Sequence, residues 1–328
     1  MPTIVRPATS GDLAAISALL LQDAAERAAS DGDLWPLASD ASQRVAKTLS
    51  VEMRNEGSNR WLVAEVAGAV EGVARLGVIP CPPIYHLAGK LVFLLYDDTT
   101  VSSSAPNGAL ALLVAAAERE GAALGAISCL AACAPFQRDK RRALESAGYG
   151  VVTDYLVKHS LSNGGSLAGV REAVATDVPA IVEMGAQSQE ALFQANAQMW
   201  KPHPEARARF GAWMHFALTL PDRCILVHGG HDGAGFVIAQ PASAFHLPLT
   251  CDRERIGLID DFWAQDFATA KEPQGATHAG DLLKAAELEF VARGRTSAMA
   301  ICPAGWRSKQ DFLRAHGYRV GNTWMLKA

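Results

Sequence analysis

The sequence of 328 residues is short of several features that would assign it to a class at once. No apolar run approaches the ~18–20 residues of a membrane-spanning helix, and Met1-Pro2-Thr3-Ile4-Val5-Arg6 lacks the basic-then-apolar order of a secretory signal. Basic charge is not in excess: 30 Lys and Arg face 34 Asp and Glu, a net charge of −4. Neither nucleic acid nor a membrane is therefore an expected partner. Cysteine is sparse, and the one close pair among six, Cys129 and Cys133, lies in an apolar run that reads as a buried strand. A reduced, cytoplasmic protein is expected. The histidines show no zinc-ligand spacing such as His-Glu-x-x-His, so no metal site is expected. No Gly-x-Gly-x-x-Gly follows an early strand, which argues against a dinucleotide-binding oxidoreductase.

What the sequence does contain, it contains twice. Arg138-Asp139-Lys140 with Leu144 and Gly148-Tyr149 is matched by Arg307-Ser308-Lys309 with Leu313 and Gly317-Tyr318. Both end at a lysine, Lys158 and Lys327, and one offset relates all the pairs (307 − 138 = 169). The openings match too: Ile4-Val5-Arg6-Pro7-Ala8 leads to Asp12, and Val170-Arg171-Glu172-Ala173 leads to Asp177. In each, an extended run ends at a polar residue able to cap a helix, and Pro179 falls in the first turn of the second helix, where a missing N–H costs little.

Paired strands follow at 61–66 and 72–76, and again at 224–228 and 235–239, with Gly229–Gly233 as a hairpin loop. A third strand comes at 91–96 and 256–262. Helices at 108–123 and 280–293, strands at 126–131 and 297–301, a further helix and a last strand complete each copy. The fold class is thus α/β with a mixed, mostly antiparallel sheet flanked by helices, present twice. The expected domains are 1–160 and 169–328, joined by a polar, Gly-rich linker at 161–168.

This order of elements, with Val170-Arg171-Glu172-Ala173 before Asp177, Ile259-Asp260-Asp261-Phe262 in the fourth strand and Phe312-Leu313-Arg314-Ala315-His316-Gly317-Tyr318 at the end, resembles the GNAT superfamily of N-acetyltransferases. Both copies share the likeness, so the chain resembles a tandem GNAT protein. The resemblance implies an acyl-CoA cofactor, acetyl-CoA or another, held by a loop of the form Q/R-x-x-G-x-G/A before the third helix. Helix-start N–H groups lack intrahelical partners and carry partial positive charge, which suits phosphate oxygens. With Leu282-Leu283 fixing the register, Gln274 falls on the Q/R position and Ala279 on the G/A position. Thr277 stands where glycine is expected, and Gly275, His278 and Gly280 complete the loop. Aligning Leu112-Leu113 in the same way puts Ser104 and Asn107 on the Q/R and first glycine positions, so the N-terminal loop is expected to be degenerate.

The resemblance also implies that the fourth strand, through Phe262 and Trp263, meets the acyl-CoA, and that a carboxylate there serves as base: Asp260 or Asp261. In an unbroken strand these neighbours point to opposite faces. The family's tyrosine acid is replaced by Leu144 and Leu313. Trp213, His215 and His246 are the candidates for the acceptor site, although single histidines and aromatics at such positions serve more often as surface or core residues. The expected function is acyl-CoA-dependent transfer to the amine of a small molecule or peptide, by direct attack in the C-terminal copy, from a monomer or homodimer. The alternative is a non-catalytic protein of the same fold that binds CoA or a metabolite, or acts as an interaction module.

Overall fold

In the computed structural model, residues 2–54, 59–87, 89–164, 169–229, 233–267 and 275–327 are described. Residues 165–168 of the expected linker and 230–232 of the expected hairpin loop lie outside them. The N-terminal half begins with β1 (Thr3–Pro7). Asp12 then accepts from the Thr9 amide at 2.7 Å and from both Arg6 terminal nitrogens at 2.8 and 2.9 Å, which fixes the entry to α1 (Leu13–Asp31). There follow α2 (Ala41–Glu52), β2 (Asn59–Val66), β3 (Ala69–Pro80), β4 (Leu91–Leu95), the short β5 (Thr100–Val101), α3 (Ala109–Ala123), β6 (Ala126–Cys133), α4 (Arg138–Ser146) and β7 (Gly150–His159).

The C-terminal half repeats the plan. After β8 (Val170–Glu172), Asp177 accepts from the Val174 amide at 2.9 Å and from Arg171 at 2.6 and 2.7 Å, starting α5 (Val178–Ala195). Then come α6 (Ala197–Trp200), α7 (Ala206–Ala217), β9 (Cys224–His228), β10 (Gly235–Pro241), β11 (Ile256–Ala264), α8 (Thr277–Ala292), β12 (Ser297–Pro303), α9 (Arg307–Ala315) and β13 (Arg319–Lys327).

All the strands join one sheet in the order β1-β2-β3-β4-β6-β13-β7-β12-β11-β10-β9-β8, with β5 on β3. Only β4–β6 and β11–β12 are parallel; the other pairs are antiparallel. The halves exchange their last strands. β7 lies against β12, from Ser297↔His159 to Pro303↔Thr153, and β13 lies against β6, from Thr323↔Cys133 to Lys327↔Cys129. Each exchanged strand carries its lysine to the other half's helix: Lys158 to Glu287 at 2.8 and 3.0 Å, Lys327 to Glu118 at 3.0 and 2.9 Å.

Each half packs a buried core against the sheet: Leu113, Val114 and Leu144 against Phe93 and Leu95 in one, Leu282, Phe290 and Phe312 against Phe262 in the other. Two openings in the sheet position the sites. β11 and β12 pair only as far as Ile259 and Ala300, although the strands continue to Ala264 and Pro303. β4 and β6 part likewise after Leu95 and Ala131. Three successive antiparallel pairings separate β6 from β12, so the two splits open at opposite ends of the sheet.

Candidate active site

Asp260 and Asp261 sit where β11 leaves β12. Against β10 the register passes from Val237↔Phe262 directly to Ala239↔Ile259, so two aspartates face the single residue Ile238. This is a β-bulge, which re-aims side chains and breaks the two-residue alternation. Both carboxylates therefore line one cavity, where an unbroken strand would send them to opposite faces.

That cavity has a volume of about 340 Å³. Ser188 and Leu192 of α5 and Phe210 and Trp213 of α7 form one side. Thr153 and Tyr155 of the exchanged β7, with Trp324 of β13, form another. The segment Pro82–Tyr85 of the N-terminal half closes over it, held by His86 N–H to the Lys201 carbonyl and His203 N–H to the Ile84 carbonyl, both at 2.9 Å. Gln240 donates to Asp260 Oδ2 at 2.9 Å. Lys309, buried, reaches into the split and donates to the Phe262 carbonyl at 2.7 Å.

Burial raises the pKa of Asp260, although Arg223, the Gln240 hydrogen bond and Lys309 oppose the rise. Burial and the charge of Asp260 raise Asp261 to about 7, against Lys309. Two like charges on adjacent residues cannot both ionise freely. The pair is therefore built to hold a proton well above the usual carboxylate range.

Of the other sequence candidates, Trp213 and His246 line the cavity. The His246 ring accepts from the Ser243 amide at Nδ1, 3.2 Å, and burial lowers its pKa to about 4, so it stands neutral. His215 lies on the exposed side of α7, away from the cavity walls. Phe262 packs in the core beneath α8 and α9, and Trp263 in the core beneath α5 and α7. Lys309, Tyr85, Tyr155 and Ser188 are cavity residues that the sequence reading did not single out. For Lys309 the signal was present: Lys140 and Lys309 recur at the constant offset, and a solvated helix face has no need to repeat a lysine. Both are 3% exposed.

Neither a protein-family model nor a curated protein sequence matches this chain; the likeness is one of structure. A tandem GNAT protein from the clavulanic acid biosynthesis pathway superposes with a TM-score of 0.52 at 15% identity, over 99% of this chain and 97% of the other. A GCN5-related N-acetyltransferase from Sphaerobacter thermophilus superposes with a TM-score of 0.56 at 17% identity, over 99% and 95%. The chain has the tandem GNAT fold.

The starts of α3 and α8, where the resemblance expects the cofactor loop, differ between the two halves. Gln274 lies outside the described residues. α8 starts at Thr277, three residues before the helix expected from Gly280. Its first amides are already taken: His278 N–H donates to Asp266 Oδ2 at 2.8 Å and Ala279 N–H to Asp266 Oδ1 at 3.3 Å. Asp281, one turn on, pairs with His228 at 3.2 Å. Gly275 and Thr277 are exposed, Ala279 is buried and Gly280 faces His316. With the Asp266 carboxylate in place, a diphosphate at this end would have to displace it from these amides.

The N-terminal end does fit one. Packing sets the register between the halves: a Cβ on Gly72 would meet Leu113 Cδ1 at 3.0 Å, and one on Gly235 would meet Leu282 Cδ1 at 2.7 Å. Glu118 and Glu287, both bonded to exchanged-strand lysines, give the same match. Leu113 thus corresponds to Leu282, one residue off the leucine-pair alignment, and Gly108 takes the place of Thr277. Gly108 adopts φ +94°, a region that favours glycine, and has open space around it. Among the described residues no hydrogen bond occupies the amides of Gly108, Leu110 and Ala111 at the start of α3.

Proposed function

We propose that the chain is an acyl-CoA-dependent N-acyltransferase whose amine acceptor binds in the C-terminal cavity. The observation that carries this reading is the Asp260–Asp261 bulge at the mouth of the β11–β12 split, facing a cavity of ligand size. The paired carboxylates attract an ammonium group. Asp261, its pKa raised by burial and by Asp260, is matched to accept a proton near neutrality, and loss of that proton leaves the amine nucleophilic. Gln240 holds Asp260 by its hydrogen bond, so the two carboxylates keep fixed positions. Lys309 caps the Phe262 carbonyl inside the split and fixes the strand that presents the pair. An acyl-CoA, when bound, supplies the thioester carbon.

The N-terminal half serves in this reading as a wall and scaffold for the other. All six cysteines are unpaired, which supports the expected reducing, cytoplasmic setting. The exchanged strands give one chain an arrangement that needs no second copy. The test is mass-spectrometric detection of acetylated product from a panel of amines with acetyl-CoA; product that disappears in Asp261→Asn is the expected result. The second reading, a non-catalytic GNAT-fold binder, is favoured by Asp266 on the α8 amides and by Leu313 in place of the tyrosine acid. Saturable CoA binding with no acylated product from any amine would select it.

A further inference from the structure

The cavity at the aspartates adjoins a second one of about 350 Å³, and the two share Pro82, Tyr85, Trp200, His246 and Trp324 in their linings. The second chamber is built on the N-terminal half's sheet. Ile79 of β3, Val92 of β4, Leu130 of β6 and Leu326 of β13 form its floor, and Met199 of α6 covers it. Among the described residues no Asp, Glu, Lys or Arg lines this chamber. Its polar side chains are few, Ser128, Gln198 and a neutral His246 among them. Ile127 and Phe245 stand at its rim, 47% and 44% exposed. The two adjoining cavities together therefore have a charged end, with Asp260, Asp261 and Lys309, and an uncharged end.

We infer that the acceptor is an amphiphilic primary amine: a cationic head at Asp260 and Asp261, and an extended apolar body lying in the second chamber. This rests on reading the first cavity as the acceptor site. A cation at the head meets the Asp260–Asp261 pair, whereas a second charge at the far end would be stripped of water with nothing to pair with it. Diamines, polyamines and free lysine are thereby disfavoured, and each methylene placed in the apolar chamber adds affinity. The halves divide the labour: the C-terminal half supplies the charged end, and β3, β4 and β6 of the N-terminal half, with β13, supply the floor for the tail.

The experiment is calorimetric titration of the full-length protein with n-alkylamines from butylamine to decylamine, and with the α,ω-diamines of equal length. The same amines are then assayed with acetyl-CoA for product. Affinity should rise about two- to fourfold per methylene over the middle of the series, and each long diamine should bind at least about tenfold more weakly than its monoamine, as expected for one desolvated, unpaired charge. Ile127→Arg, at an exposed rim position and checked for folding by circular dichroism, should abolish the gain with chain length. Affinity that is flat with length, or diamines that bind as well as monoamines, overturns the inference, even if product forms. A clear length trend with no acylated product keeps the amphiphile site and removes the transferase reading.

Discussion

Asp23 and Arg27 in the N-terminal half stand where Ser188 and Leu192 stand in the C-terminal half. The matched Arg6–Asp12 and Arg171–Asp177 pairs set that offset (177 − 12 = 165). In the N-terminal half Arg27 is 1% exposed and donates to Asp23 at 2.5 Å and to both Asp97 oxygens at 2.8 and 3.1 Å. Lys140, the counterpart of Lys309, adds a contact to Asp97 at 3.2 Å. Burial alone would raise Asp97, but the two cations hold its pKa below the ordinary value. The C-terminal half then fills the remaining space: Leu249 joins the core of Val63 and Val73, and its amide donates to Asp98 at 2.8 Å. At the corresponding place in the C-terminal half, a hydroxyl and a leucine replace the acid and the arginine, and about 340 Å³ stays open, with no arginine bonded to the carboxylates among the described residues. One copy pairs its charges with one another, and the other leaves its carboxylates facing an open cavity. The same backbone supports both because the choice rests on two α-helical positions.

The sharpest break of this comparison is Asp261→Asn. It should lower kcat/KM for amine acylation by roughly 10²–10⁴, the usual contribution of a positioned base, read by steady-state kinetics. The wild-type rate should climb as pH rises through the raised pKa of the Asp pair, and the variant should lose that limb. Stability should move the other way. A carboxylate whose folded pKa lies above its unfolded value costs stability as it ionises, so wild type weakens as pH rises past about 4. Urea denaturation should show Asp261→Asn more stable than wild type at pH 8 and equal to it at low pH. An unchanged rate at pH 8 would remove Asp261 from the chemistry.

Next in size is Arg27→Leu, which gives the N-terminal half the residue of the C-terminal one. Removing one partner of a buried ion cluster typically costs about 3–5 kcal/mol, measurable in urea. Adding Asp23→Ser and Asp97→Asn, which removes the stranded charges, should restore most of it. A loss below about 1 kcal/mol would mean that water or Lys140 already balances Asp97, and that the cluster does not lock the half.

Much of this was legible in the sequence. The repeat gave two copies and their element order, because capping aspartates, hairpin glycines and apolar periodicity are local signals. The strand exchange was not legible: β7 and β13 alternate in the same way, and nothing local tells which neighbouring copy each one joins. Asp260 and Asp261 were named from the sequence as neighbours on opposite faces, but the bulge that turns both to one cavity is set by pairing with β10. The cavity's cover, Pro82–Tyr85, comes from a segment far before the aspartates (260 − 85 = 175 residues), a contact that periodicity cannot see. The misplacement of Gly108 had a different cause. A leucine pair was matched to a leucine pair, although Glu118 and Glu287 kept the constant offset of the repeat and gave the better register.

The smallest effect concerns the starts of α3 and α8, where the two halves differ: among the described residues three amides at the start of α3 are free, whereas Asp266 holds two of those of α8. Asp266→Ala should free the His278 and Ala279 amides for an anion. Hydrogen bonds to a charged group contribute about 1.5–3 kcal/mol, so acetyl-CoA binding at that end should tighten by about tenfold or more in calorimetry. The same change removes a carboxylate from a helix start and should cost about 1 kcal/mol of stability. Gly108→Val, which forces a β-branched side chain into a left-handed backbone, provides the opposing arm. If binding is lost in Gly108→Val and unaffected by Asp266→Ala, the cofactor belongs to α3. The open acceptor cavity and the open cofactor end would then lie at opposite ends of the sheet, and the two halves would hold separate, incomplete sites. If Asp266→Ala alone tightens binding, the carboxylate is an internal competitor, and the C-terminal half carries both ends of one site.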